Sequence, residues 1–446
     1  MATSVNIALI GAGSATFAAG IVRDLCVSSG LSGSHVALMD VDAGRLATTH
    51  RLAGRLAGEL DADITFSTTA SREEALTGAD FVLNTAQVGG HGWTEEQREL
   101  AEAHGYYRGA RLHNFGQAVF FLEVARDVER IAPNARLIQS ANPVFEGCTA
   151  MSRATGVQVL GLCHGHYGYR SIARVLGLDA ARVTAQAPGF NHWIWMTDFR
   201  VDGEDAYPLI DEWIDTQAEA YWARDDRGYG DTQMSRAAIH QYQKFGLMPI
   251  GDTPRMVGWW YHRSLEDKQR WYGGLGGFDS EIGWARYLAD VQSKAESVER
   301  AAADDATPIT DTFPARQSGE QIVPIIDSLV NDIERVYQVN VPNHGQVIAG
   351  FPEDLVIECQ GVVNGAGIHA VSASPFPPKV QATAMIPRWH EAELMIQAVL
   401  TGDPDFVLHY LLADHRTQTL DQAERLVAAW LEHPRNATVR RHFAPA

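Results

Sequence analysis

The stretch Val5-Asn6-Ile7-Ala8-Leu9-Ile10-Gly11-Ala12-Gly13-Ser14 decides how this chain folds. Its first six residues read as a short buried strand, two glycines follow, and Ile21, Val22 and Leu25 then recur at helical spacing. Strand, glycine turn and helix open a βαβ unit. The turn carries two of the three glycines of the dinucleotide-binding fingerprint, with Thr16 where the third usually stands. Backbone amides from Ser14 onward would face a pyrophosphate at the helix start. A second strand, residues 35–39, ends on Asp40, an acid placed to accept hydrogen bonds from a ribose. Its charge would repel the extra phosphate of NADP, so the pattern predicts NAD+. An ordinary strand-to-helix turn would also use glycine, but it leaves the joint placement of Gly11, Gly13 and Asp40 without a reason.

Working outward, residues 80–85, 136–140 and 157–162 read as further strands, alternating with helical patterns over 45–60 and 115–131. That alternation predicts an α/β fold with a Rossmann-like doubly wound sheet over residues 1–190. Beyond it the pattern changes to helical segments rich in Trp and Tyr, a Val-rich section over 339–363 and closing helices after Arg388. Residues 191–446 are therefore expected to form a C-terminal α+β domain carrying metal and substrate groups, a plan shared with lactate and malate dehydrogenases. No internal repeat is present.

The chain has 446 residues, 46% of them hydrophobic, enough to bury a large core. Thirty-six Lys and Arg against fifty-five Asp and Glu give a formal charge of −19, which disfavours nucleic acid and anionic membrane surfaces as partners. The start of the chain lacks the pattern of a secretory leader, and no apolar run reaches the roughly 18 residues of a membrane span, so a cytoplasmic location is expected. Four widely spaced cysteines, Cys26, Cys148, Cys163 and Cys359, make no disulfide framework and leave a thiol available to a metal.

Gly161-Leu162-Cys163-His164-Gly165-His166 and Asn191-His192 bring a thiol, imidazoles and an amide toward the end of one strand. Thiolate and imidazole suit a borderline divalent ion, and two protein ligands would leave coordination positions free for substrate oxygens. Packed core residues would account for the same letters, and neither spacing is a standard zinc signature, so the residues alone leave both readings open.

Taken with Gly11-Ala12-Gly13-Ser14, Ala141-Asn142-Pro143 and Pro249-Ile250-Gly251-Asp252-Thr253, these motifs resemble in order those of glycoside hydrolase family 4. Asn84-Thr85-Ala86, Gly105-Tyr106-Tyr107-Arg108-Gly109, Ser280–Trp284 and Ser318-Gly319-Glu320-Gln321 place the resemblance nearest the α-glucosidase branch. The resemblance implies NAD+ and a divalent metal such as Mn2+, and a retaining hydrolysis of a small-molecule glycoside. In that route hydride leaves the sugar C3, the C2 proton is removed, the C1 oxygen is eliminated, water adds and C3 is reduced again. It also implies a homodimer or homotetramer, metal ligands Cys163 and His192, cofactor contacts from Asn84 and Asn142, and sugar contacts from Asn142, Asn191 and Arg255. Asp252 matches the base, with Tyr242 as the alternative, and His164 matches the position of the acid or a sugar contact. The aromatics Trp259-Trp260-Tyr261, between Arg255 and Arg263, are expected mostly to pack in the core.

Following Gly109 the chain is shorter than its α-glucosidase relatives, in the part lying over the sugar. The shortened loop contains Arg108, Arg111 and His113, and Lys244 follows Tyr242 on a predicted helix. In so acidic a chain these predict an anion pocket for a C6 carboxylate or sulfonate, a substrate plan similar to that of NAD-dependent sulfoquinovosidases. A neutral α-glucoside is the alternative substrate. A 2-hydroxy-acid dehydrogenase or an NAD-binding sensor would share the first domain but have no use for Cys163, His192 and Asp252 together.

Overall fold

The computed structural model describes residues 2–224, 228–230 and 232–444. Six strands, β1 (Asn6–Ile10), β2 (Ser34–Met39), β3 (Ile64–Thr69), β4 (Phe81–Asn84), β5 (Arg136–Gln139) and β6 (Gln158–Gly161), lie parallel in the order 3-2-1-4-5-6. The inner strands are short and largely apolar because helices cover both faces: Ile7, Ala8, Leu9 and Ile10 in β1 are all fully buried. The strand order reverses between β1 and β4, and the crevice over the carboxyl ends of strands at such a point is where open α/β sheets bind ligands.

Nine further strands are β7 (Val183–Gln186), β8 (Gly189–Phe190), β9 (Trp193–Met196), β10 (Asp198–Val201), β11 (Glu204–Asp205), β12 (Met248–Ile250), β13 (Arg335–Pro342), β14 (Val356–Asn364) and β15 (Gly367–Ala370). Six of these extend the same sheet instead of forming a separate one: β13 pairs with β6 at Asn340 and Gly161, then β14, β8, β9 and β12 follow antiparallel, with β15 on β14. β7, β10 and β11 make a small antiparallel sheet. The expected boundary at residue 190 falls inside the β8–β9 hairpin, whose Phe190 pairs with Trp193 across a two-residue turn. The hairpin turn is held on the rim of the Rossmann crevice by the continuous sheet. Among the described residues no helix is long and apolar enough to cross a membrane.

Candidate active site

Strand ends position most of the site. The turn after β1 places Gly11 at φ 87, where a side-chain Cβ would stand 2.6 Å from the Ala86 backbone. Only glycine fits this approach of two rims. Ser14 caps the helix Ala15–Cys26 without a side-chain capping bond, so the first amides of that helix are left for a ligand. Asp40, at the end of β2, accepts from the Gly13 amide at 2.7 Å and the Asp42 amide at 2.9 Å, which fixes its carboxylate against the turn. This cradle fits a dinucleotide.

A cavity of about 1350 Å³ opens along this edge of the sheet. Thr85, Gln87 and Asn142 line it on the Rossmann side, and Cys163, His164, Asn191, His192, Asp252 and Arg255 line its middle. Cys163 follows β6 and His192 sits in the β8–β9 turn at φ 63, a conformation uncommon for a residue with a Cβ. The Cys163 sulfur and His192 Nε2 come within 3.5 Å of one another. Burial pushes the Cys163 thiol up to about 12, and burial, helped by the charges of Arg255 and Arg388, lowers the His192 imidazole, so both are neutral. Among the described residues no three His, Cys, Asp or Glu side chains form a closed metal cage. A soft donor and an imidazole converging on one point, with room beside them, fit a divalent ion whose other positions would be left to substrate.

Asp252 stands 3.4 Å from His192 Nε2. Burial alone would raise its carboxyl, but Arg255, through two bonds of 3.0 and 2.8 Å, and His192 hold it well below the usual carboxylate range. Arg255 divides itself: its other nitrogen donates to both oxygens of Asp279 at 2.8 and 2.7 Å. His164 is 69% exposed and places Nδ1 3.5 Å from Glu320, whose carboxylate raises the imidazole pKa. Glu320 is brought there because Ser318 is tied by its amide to Asp24 at 2.6 Å and the Tyr167 hydroxyl donates to the Gly319 carbonyl at 3.0 Å. Asn191 donates to Glu358 at 2.9 Å, and burial pushes that acid up to about 7.

Several expected residues lie elsewhere. Tyr242 donates to Asp211 at 2.8 Å and packs on Tyr207, and Lys244 is exposed on the same helix; neither lines the cavity. The helix Arg236–Phe245 turns its Ala237, Ala238, Ile239 and Gln241 inward, which carries Tyr242 and Lys244 to the other side. Asn84 is fully buried, donates to Gln139 at 2.8 Å, bracing β4 against β5, and does not line the cavity. Arg108, Arg111 and His113 do line the cavity, but their charges are spent or absent. Arg108 donates to the Asp279 carbonyl at 2.9 Å and meets Glu102, Arg111 meets Glu391, and burial lowers His113 to about 4. Tyr261 is a core residue as expected, whereas Trp259 and Trp260 are 46% and 43% exposed at the cavity wall.

Sequence reasoning named no role for Glu320, Glu358, Asp279 or Lys268. Glu320 lies within a motif already noticed, and Glu358 breaks an apolar strand run, Val356-Ile357-Glu358-Cys359, a pattern that marks a paired or functional acid. Asp279 and Lys268 sit in polar segments that give no such signal.

Residues 6–178 match the family 4 glycosyl hydrolase, and residues 187–417 match the family 4 glycosyl hydrolase C-terminal domain. The chain belongs to glycosyl hydrolase family 4. This family 4 enzyme is 26% identical over 429 residues to an alpha-galactosidase of Rhizobium meliloti, covering 92% of the chain and 84% of that relative. It is 22% identical to an alpha-galacturonidase of Lachnoclostridium phytofermentans, over 96% of each. A 6-phospho-alpha-glucosidase from gut microorganisms, solved in complex with NAD and Mn2+, superposes with a TM-score of 0.79 at 17% identity, covering 98% of this chain and 99% of its own. The likeness to that structure is one of fold.

Proposed function

We propose that this glycoside hydrolase is an NAD+- and divalent-metal-dependent α-glycosidase acting on a sugar with an anionic C6 group. The observation that carries the reading is the Cys163 sulfur and His192 Nε2 pair, 3.5 Å apart on the rim of a dinucleotide crevice. A hydride acceptor and a Lewis acid side by side suit chemistry at the sugar C2 and C3. The alpha-galactosidase and alpha-galacturonidase relatives support an α-linked substrate, and the latter an acidic one.

The Gly11–Ser14 turn and Asp40 would hold NAD+, which would supply a reversible hydride acceptor, and Cys163 and His192 would hold a divalent metal, which would supply Lewis acidity toward the sugar oxygens. Asp252, ionised through Arg255, accepts the C2 proton that the neighbouring carbonyl acidifies. Because Asp279 draws on the same guanidinium, Arg255 orients Asp252 without monopolising it. His164, with Glu320 behind it, gives a proton to the departing glycosidic oxygen. Asn142 and Asn191 line the cavity where an amide can bridge sugar hydroxyls.

The test is a set of nitrophenyl α-glycosides, neutral, uronic and 6-sulfonated, assayed with NAD+ and Mn2+. Cleavage that requires both additions, with no net NADH and with solvent deuterium entering C2 of the product, supports the reading. Stoichiometric NADH with no nitrophenol released refutes it in favour of a dehydrogenase.

A further inference from the structure

Lys268 lies on the helix Leu265–Tyr272, which starts at Ser264, whose hydroxyl accepts from the Asp267 amide at 3.1 Å. In the run Glu266-Asp267-Lys268-Gln269-Arg270, Glu266, Gln269 and Arg270 are exposed, as a solvated helix face should be. Lys268 alone turns inward, is 3% exposed and lines the active-site cavity. Among the described residues its ammonium makes no hydrogen bond and no ion pair within 4 Å. A buried lysine is nearly always paired, so this one stands ready for a charge the protein does not supply.

Of its charged neighbours, Asp279, Arg108 and Arg255 are paired elsewhere, and Glu281 makes no ion pair among the described residues. Asp279 is clamped by Arg255, Glu281 accepts from the Tyr107 hydroxyl at 3.0 Å, and Arg108 is divided between the Asp279 carbonyl and Glu102. Arg255 itself answers Asp252 and Asp279, and His262, beside Tyr272, is kept neutral by burial. Burial lowers the Lys268 ammonium to about 8 despite the pull of Asp279. One positive charge without a direct ion pair is therefore offered, 6.0 Å over the Tyr107 ring and flanked by two carboxylates, Asp279 and Glu281. Such a site matches a single negative charge and rejects two. The chain Cys163, His192, Asp252, Arg255, Asp279 ties this end of the cavity to the metal pair.

We infer that Lys268 is the specificity residue that selects a sugar with one negative charge at C6, a carboxylate or a sulfonate, over a neutral sugar and over a phosphate. The inference rests on the glycosidase reading for its substrate but is tested apart from it. Titration calorimetry on the full chain with NAD+ and Mn2+ would use glucuronic acid, 6-deoxy-6-sulfoglucose, glucose 6-phosphate and glucose as ligands. Wild type should bind a carboxylate or the sulfonate sugar at least tenfold more tightly than glucose or glucose 6-phosphate, the scale of one charge-assisted hydrogen bond. The two acidic sugars distinguish which oxyanion the site takes. Lys268→Met and Lys268→Gln should each erase that preference while NAD+ binding and melting temperature show both variants folded. A preference for phosphate, an equal affinity for glucose, or a preference that survives both substitutions overturns the inference. Charge-selective binding that depends on Lys268, with no glycoside cleaved, would uphold it while removing the glycosidase reading.

Discussion

Replacing Gly11 by alanine tests whether the turn after β1 holds the dinucleotide. At φ 87 any residue with a Cβ pays about 1–2 kcal/mol. The new Cβ would also stand 2.6 Å from the Ala86 N and Cα, about 1 Å inside ordinary contact, and both are backbone atoms that cannot rotate away. Relief requires the rims of β1 and β4 to part, weakening the Thr85 amide bond to Ile10 at 2.9 Å and the Thr85 hydroxyl bond to the Gly11 carbonyl at 3.2 Å. Two such bonds are worth about 1 kcal/mol each. The sum, about 3 kcal/mol, predicts NAD+ binding weaker by on the order of 100-fold. Gly177→Ala is the control: its φ is 72 but nothing lies within 4 Å of the added Cβ, so it incurs the backbone cost alone. Gly13→Ala is intermediate, because its Cβ meets the Asp40 carboxylate at 2.7 Å, a side chain that can turn aside only by giving up its bonds from the Gly13 and Asp42 amides. Titration of NAD+ followed by tryptophan fluorescence, with a melting curve for each variant, ranks the three. An affinity for Gly11→Ala within threefold of wild type, or an equal loss in Gly177→Ala, would refute the reasoning.

Cys163→Ser and His192→Ala should abolish Mn2+-dependent activity while leaving NAD+ affinity within about threefold, and full activity of wild type in chelator would reject the metal pair. Asp252→Asn should lower kcat at least about 100-fold with little change in sugar binding, since an amide keeps the carboxylate's shape and accepts no proton; near-native turnover would exclude Asp252 as the base. Arg388, buried beneath Trp193, pairs with buried Glu146, so Arg388→Met should destabilise by about 3–5 kcal/mol and Arg388→Met with Glu146→Gln by clearly less than the sum of the singles, read from denaturation midpoints. His113 and His262 are held neutral at about 4 and 3, below their unfolded value of 6.5, so the unfolded chain takes up protons first and stability should fall as pH drops from 6.5 toward 4. Glu358, raised from 4.5 to about 7, acts in the opposite sense between those values, and a melting temperature that rises on acidification through this window would mean the carboxyl prevails. Any preference for an acidic sugar should fade as pH rises past about 8, where Lys268 loses its proton.

Local signals carried a good part of the site. Gly11, Gly13 and Asp40 were legible because strand, tight turn and helix are consecutive in the chain, and each is specified by its own few residues. Cys163, His192 and Asp252 were legible as residue types that few core positions require, grouped into motifs that resemble one family. Helix phase was not legible to the same degree. Tyr242 and Lys244 follow a polar pattern that reads equally well toward or away from the cavity, and only the burial of Ala238 and Ile239 decides it. Asn84 sits at a strand end like Asn142, yet its amide is taken by Gln139, a residue 55 positions away.

The sequence by itself determined the alternation of strands and helices that makes the first sheet parallel, and its glycine turn, because these depend on residues close in the chain. Tertiary structure alone decided which charges remain free. Arg108 and Arg111 are the evident cations of the loop, but Glu102 nearby and the Asp279 carbonyl and Glu391, distant in sequence, use them. Lys268, in a run that reads as solvated, is left unpaired inside the cavity. Electrostatic pairing is a property of distances in space, and a chain read in one dimension contains the charges without their partners.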